Sequence, residues 1–356
     1  MDFFRPGKPT VRHKFLKNSL PRFFACPLAA LLLAGSVCHG GDLNAIKERG
    51  VLRHLGIPYA NFVTGSGEGM DVDLVRLFAQ DIGVRYEFVP VDWSQLFPAL
   101  IGQRIKVKGN DVEFLEKTPV RGDIAANGIT ILPWREKIVA FSDPVFPTQV
   151  WVVARADSPV RPIRHTGNLG NDIAEVKKLL PGRTLLGTPG TCLDPSLYGL
   201  EDAGVNLRTF RGRLDDIAPA VIKGAAELSL LDVPDALLSL QKWPGQIKII
   251  GPVSDRQQMA VAFSRESPEL RKAFNRFLEK CKSDGTYLTL IKKYYPYVFD
   301  YYPEFFAVPS GSGTQESCPP VFLFRREGAD RPSCPFQRGR RLFREQSARD
   351  EHGIRT

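Results

Sequence analysis

Between residues 43 and 298 the apolar residues keep changing period, from the two-residue alternation of strands to the 3.6-residue spacing of helices and back. The stretch "LNAIKERGVLRHLGI" reads as a short helix, a glycine stop and a strand. "GMDVDLVRLFAQDIG" puts Leu74, Val75, Phe78 and Ile82 on one helical face, and "VRYEFVPV" alternates as a strand. A helix over "DWSQLFPALIG", strands over "GDIAANGITI", "TQVWVVARA" and "GRTLLGTPGT", and a helix over "DPSLYGLEDAG" capped by Asp194 continue the series. Helix and strand follow in "DDIAPAVIKGAAELSLLD", then strands in "IKIIGPV" and "QMAVAFS". In "SPELRKAFNRFLEKC", Leu270, Ala273, Phe274, Phe277, Leu278 and Cys281 fall on one buried helical face. Strands alternating with helices predict an α/β fold with mainly parallel sheets.

One interval breaks the rhythm. Residues 103–120 occupy a helix-to-strand connection that ordinarily takes about 2–6 residues. Within it, "IKVKGNDVEFL" predicts a small hairpin turning at Gly109-Asn110.

Charge separates the body from its ends. The chain carries a formal +9, of which residues 1–40 hold +5 and residues 307–356 hold +3, leaving +1 for the remainder. A body this close to neutral offers no basic stripe for nucleic acid. The first 40 residues place Arg5, Lys8, Arg12, Lys14, Lys17 and Arg22 before the apolar run "FFACPLAALLLAGSV", with small residues at Ser36, Cys38, Gly40 and Gly41. That order predicts a cleaved export signal over 1–40. The apolar run is shorter than the roughly 20 residues that span a bilayer, and Val37 before Cys38 makes a lipid anchor the lesser reading. Residues 307–356 are rich in Pro, Gly, Ser and Arg, lack any sustained apolar period, and read as a disordered or weakly ordered tail. Cys192 and Cys281 stand alone in the body, no CxxC occurs, and the five histidines are scattered, so no metal site or cofactor is expected. A bridge between those two cysteines is open in an oxidising compartment.

The segment "GDIAANGITILPWREKIVAFSDPVF" holds a permanent cation, Arg135, between two strand-like runs. Its planar fork suits two parallel hydrogen bonds to a carboxylate. On the residues alone, an internal ion pair with Glu136 or Asp143 competes with that role.

Taken in order, "GMDVDL", "VDWSQLFPALIG", the Arg135 segment, "LLGTPGT" and "SPELRKAFNRFLEKCKSDGTYLTLIKKYYP" resemble the extracytoplasmic solute-binding proteins of family 3, the receptors of polar amino-acid ABC importers. The resemblance covers roughly 43–298. It implies a two-lobed, type II periplasmic-binding-protein fold with two hinge crossings, near Pro147–Trp151 and Ile249–Ser254. Lobe 1 would take residues 42–148 and 251–306, and lobe 2 residues 149–250. It also implies that Arg135 binds a ligand carboxylate, helped by Asn127, Gly128 and Thr130. Gly190 and Thr191 would add an anion-attracting turn before a helix, against the plainer reading of an ordinary capped helix. Asp232 would meet a ligand ammonium, against the plainer reading of a helix cap. Tyr59 and Trp93 would wall the cleft, against ordinary core packing. The implied function is a monomeric periplasmic receptor that closes on a small carboxylate-bearing solute, an amino acid, for an inner-membrane permease. Gly56, where some relatives carry a polar residue, and the 103–120 insert leave the ligand class open.

An enzymatic reading on the same fold, a cyclic-acid dehydratase, needs a positioned acid or base in the cleft. Asp194 and Asp232 are the candidates, no histidine falls in a cleft motif, and each aspartate has a simpler role. A sensory module for cell-wall fragments is the third reading. Binding without catalysis is the expectation.

Overall fold

The computed structural model describes residues 42–306. The expected export signal and tail lie outside them. Helix α1 (Leu43–Arg49) ends at Gly50, whose left-handed backbone (φ 71°) turns its N–H back onto the carbonyls of Ile46 and Lys47. Then come β1 (Val51–Gly56), α2 (Met70–Asp81), β2 (Arg85–Pro90), α3 (Trp93–Ile101), β3 (Gln103–Lys108), β4 (Asp111–Lys117) and β5 (Ile124–Ala125). The chain continues through α4 (Pro133–Glu136), β6 (Val139–Phe141), β7 (Phe146–Thr148), β8 (Val150–Arg155), α5 (Leu169–Lys178), β9 (Thr184–Gly187) and β10 (Asn206–Thr209). It finishes with α6 (Ile217–Ile222), β11 (Leu228–Asp232), α7 (Val233–Lys242), β12 (Ile247–Pro252), β13 (Gln257–Met259), β14 (Ala262–Ser264), α8 (Pro268–Ser283), α9 (Thr286–Tyr294) and α10 (Pro303–Phe306).

Two five-stranded sheets result, in the orders β2-β1-β5-β14-β6 and β10-β9-β11-β8-β12. In each, one strand runs against the rest: β14 is antiparallel to β5 and β6, and β8 is antiparallel to β11 and β12. Both reversed strands follow directly on a crossing between sheets. A strand fed by a helical crossover returns to the same end and runs parallel, whereas one arriving from the other sheet starts at the facing edge and runs the opposite way.

The crossings lie side by side. β7 and β13 form a two-stranded antiparallel link, with Thr148 opposite Gln257. Just beyond, Gln149 Nε2 donates to the Ser254 carbonyl (2.9 Å), Val150 N donates to Ser254 Oγ (2.9 Å), and Trp151 Nε1 donates to Gln149 Oε1 (2.9 Å). The chain thus leaves the first sheet at Gln149 and returns over Val253–Arg256.

Most elements form where the periodicity places them. α8 buries Leu270, Ala273, Phe274, Phe277, Leu278 and Cys281, the six residues on its apolar stripe. The 103–120 interval is a β3–β4 hairpin turning at Gly109-Asn110, with Val107 opposite Val112. Several segments differ: the strand expected over "GDIAANGITI" is limited to Ile124–Ala125, and an edge strand forms at Asn206–Thr209 where none was expected. "QMAVAFS" is split into β13 and β14, one in the link and one in the first sheet. The helix expected after Asp194 is a single 3₁₀ turn, Pro195–Tyr198, closed by Gly199 in the left-handed region (φ 61°). Pro195 and Gly199 bracket too few residues to propagate a helix. At the C-terminal end, the Phe306 ring packs against Phe299 (4.6 Å between centroids), Phe305 (5.1 Å), Tyr287 (6.4 Å) and Phe146 (6.5 Å).

Candidate functional site

The parallel strands of both sheets end toward each other, and the loops after them meet. Pro133 opens the single turn of α4 and fixes its first φ, which sets Arg135 pointing inward. Arg135 is 1% exposed. Its guanidinium lies 5.1 Å from the Trp134 ring centroid, 5.5 Å from Phe97 and 5.7 Å from Trp93. Nη1 donates to the Thr130 carbonyl (2.8 Å), while Nε and Nη2 have no partner among the described residues. The internal ion pair with Glu136 or Asp143 does not form.

Beside it, both amide atoms of Asn127 and the Thr130 hydroxyl are buried and unpartnered among the described residues. Gly128 adopts φ +66°, and a Cβ there would stand 2.5 Å from the Phe62 ring. Its N–H donates to Asp71 Oδ2 (2.8 Å). Burial pushes the Asp71 carboxyl up to about 7, the Gly128 N–H opposing.

Tyr59 sits on the turn after β1, 2% exposed. The next residue, Ala60, carries a left-handed backbone (φ 47°) that costs a residue with a Cβ roughly 1–2 kcal/mol. The turn carries two contacts to the second sheet: Tyr59 Oη donates to Asp232 Oδ1 (2.5 Å), and Ala60 N donates to Asp215 Oδ1 (2.9 Å). Asp232 ends β11 and also caps α7, accepting from Asp235 N (3.3 Å). It is therefore both a helix cap and a cleft residue. Burial raises its carboxyl to about 6, against the opposing pull of the Tyr59 hydroxyl, the Asp235 N–H, Cys192 and Arg135. Burial likewise lowers Arg135, opposed by Cys192, Tyr198, Asp232 and Tyr59.

The 188–194 turn closes on itself. Thr191 Oγ1 donates to the Thr188 carbonyl (2.7 Å) and accepts from Leu193 N (3.0 Å). Gly190 N donates to Asp194 Oδ2 (3.0 Å), and Asp194 Oδ1 accepts from Ser196 N (3.0 Å) and Ser196 Oγ (2.8 Å). The free N–H expected of Gly190 is thus taken by Asp194. Cys192 follows, buried, with Sγ 3.7 Å from Asp232 Oδ2 and its carbonyl accepting from Tyr198 Oη. Burial and the Asp232 charge push this thiol up to about 12. Cys192 and Cys281 are both free thiols.

The family resemblance therefore led to Tyr59, Asn127, Gly128, Thr130, Arg135 and Asp232 on the two facing halves, to Trp93, half-buried, and to Gly190 and Thr191, whose turn closes on itself. It did not lead to Phe97 and Trp134 against the guanidinium, to Cys192, Tyr198 and Asp215 in the turns of the second half, or to Asp71, which accepts from Gly128 N. Cys192 had a legible signal, its place directly after Gly190-Thr191. Chemically, a cation with two idle donors on one half faces an anion on the other. His54 is not part of it: the ring lies in the first sheet, against the Tyr86 hydroxyl (2.9 Å) and the Ala126 carbonyl (2.6 Å). Among the described residues no group of three or more His, Cys, Asp or Glu side chains is placed to hold a metal ion.

Two facing α/β halves with a charged cleft between them define the type II periplasmic binding proteins. The chain belongs to the bacterial extracellular solute-binding proteins, family 3, whose family model matches residues 56–113 and 112–297. The two matches meet within β4, in the hairpin. The L-cystine-binding protein TcyJ of Escherichia coli (strain K12) is 25% identical over 289 residues, 78% of this chain and 95% of the relative. The membrane-bound lytic murein transglycosylase F of Desulfosudis oleivorans is 26% identical over 239 residues, 65% of this chain. The chain spans about half, 46%, of that transglycosylase. Among solved structures, a mutant of ArgBP from T. maritima superposes with a TM-score of 0.57 at 27% identity, over 71% of this chain and 99% of that one. Among the described residues no helix is long and apolar enough to cross a membrane.

Proposed function

We propose that the chain is an exported receptor that encloses a small zwitterion, an amino acid, between its two halves and presents it to an ABC importer of the inner membrane. The observation that carries this is Arg135, buried with Nε and Nη2 unpartnered and set opposite Asp232. Two free donors of one guanidinium match the two oxygens of a carboxylate. An ammonium at the other end of the ligand would meet Asp232 by replacing the Tyr59 hydroxyl. Neither half holds both charges, so binding and closure are coupled. The similarity to an L-cystine-binding protein supports an amino acid as the class. Release of an unchanged ligand after long incubation is the expected behaviour, since burial keeps the Cys192 thiol neutral and, among the described residues, His54 and His165 are engaged elsewhere.

The test is a calorimetric panel of amino acids, simple carboxylates and muropeptide fragments against the wild type and Arg135→Ala. Ligand binding that the folded variant retains at full affinity would overturn the proposal. The transglycosylase relatives favour a second reading, in which the same cleft senses a cell-wall fragment through its peptide carboxylate. Saturation by muropeptides alone would select it.

A further inference from the structure

The second sheet has two ends, and only one faces the cleft. Arg183 stands one residue before β9 and Thr188 one residue after it, so they lie five residue steps, roughly 16 Å, apart. At the Arg183 end lies a cavity of about 540 Å³. Its rim is the segment "SPVRPIRHT", residues 158–166. Three contacts pin this rim to the body: Lys248 Nζ donates to the Ser158 carbonyl (2.6 Å), Ile163 N to the Ile250 carbonyl on the edge strand β12 (2.9 Å), and Thr166 N to Asp172 Oδ1 (2.8 Å). Pro159 and Pro162 fix φ at two further positions.

Arg161 and Arg164 leave the rim between these anchors. Both line the cavity, and neither makes a hydrogen bond or an ion pair among the described residues. The third guanidinium of the wall is already engaged: Arg183 Nε donates to the Leu179 carbonyl (2.8 Å) and Nη1 pairs with Glu227. The acid in the lining, Glu175, accepts from Lys178 (2.6 Å). Two uncommitted, exposed cations therefore remain on a strap whose backbone is pinned.

We propose that this cavity is a second ligand site, independent of the cleft, for a small doubly charged oxyanion, a phosphate monoester or a dicarboxylate. Two guanidinium forks match two negative charges in bidentate fashion. The volume falls within the roughly 300–1,000 Å³ of small-molecule sites. The pinned backbone loses little freedom when an anion settles on it, so the ordering cost falls on the two arginine side chains. The cavity also lies outside the surfaces that move together on closure, so both sites can be filled at once.

Titration calorimetry at low salt tests this, with inorganic phosphate and with succinate as probes, on the wild type, on Arg161→Gln/Arg164→Gln and on Arg135→Ala. Either probe saturating the wild type at one equivalent is expected, and the pair tells phosphate from carboxylate. The double variant should keep the melting temperature of the free protein and weaken binding about tenfold or more, the loss of one to two charge-assisted hydrogen bonds. Arg135→Ala should bind the probe as the wild type does. Three results would each overturn the site: no saturation by either probe, equal affinity in the double variant, or loss of the probe in Arg135→Ala, which would place the anion in the cleft.

Discussion

A buried cation with idle donors costs several kcal/mol unless something meets them. Arg135 carries that cost: among the described residues its hydrogen-bond partner is the Thr130 carbonyl, and three aromatic rings lie against it. Removing one member of a buried charge pair costs about 3–5 kcal/mol. Arg135→Ala is therefore expected to weaken the cleft ligand by roughly two to three decades in calorimetry while the circular dichroism spectrum stays that of the wild type. Asp232 adds a pH signature. Its carboxyl sits at about 6, and only the ionised form attracts an ammonium. Affinity for an amino acid should rise from pH 5 to pH 7, and a flat profile would mean that no ammonium is read there. Asp71 gives the opposite sign for stability. Its folded value of about 7 lies above that of the unfolded chain, so the fold holds a proton that the unfolded chain releases. Its contribution is full below about pH 4 and is lost as the pH rises to about 7. Asp71→Asn should flatten that part of the melting-temperature profile. At this scale the sequence disclosed the groups that carry charge and motif. It could not disclose Phe97 or Trp134, because an aromatic on an apolar face looks the same whether it packs against leucine or a guanidinium.

Elements were legible in proportion to their length. The sixteen residues of α8 repeat their apolar stripe often enough that the buried set follows from spacing alone. The hairpin was legible for a different reason, since Gly109-Asn110 sits between alternating runs and supplies the turn. The 188–205 region was not, because Asp194 reads as the start of a helix. Its carboxylate instead gathers Gly190 N, Ser196 N and Ser196 Oγ into a closed turn. Asp194→Ala should cost about 1 kcal/mol in urea unfolding, the worth of a cap. It should also loosen the loop that positions Cys192 under Asp232. An unchanged midpoint would show that the turn holds without the carboxylate.

For the molecule as a whole, the alternation of strand and helix was enough to state the fold class. It was not enough to show which strand in each sheet is reversed, since reversal follows from where the chain enters and not from local pattern. The two crossings are stitched at Gln149 and Ser254 by two side-chain hydrogen bonds of 2.9 Å, and Trp151 Nε1 holds the Gln149 amide. Gln149→Ala removes one stitch and leaves Trp151 Nε1 without its acceptor, and the proposed exchange between open and shut forms should respond. The radius of gyration without ligand, from solution scattering, is expected to increase, and the ligand should restore the wild-type value. No change in either state would mean that the backbone link of β7 and β13 alone sets the angle.

The placement of Cys192 gives the protein a clock. Its sulfur lies between the halves, 5% exposed and beside Asp232 and Tyr198. While the cleft is shut, an alkylating reagent can neither reach it nor find it ionised. Each opening exposes the thiol for as long as the opening lasts. The alkylation rate of the Cys192 peptide, followed by mass spectrometry, thus reports the fraction of time that the cleft stands open. It needs no engineered label, and the correct ligand is expected to slow it.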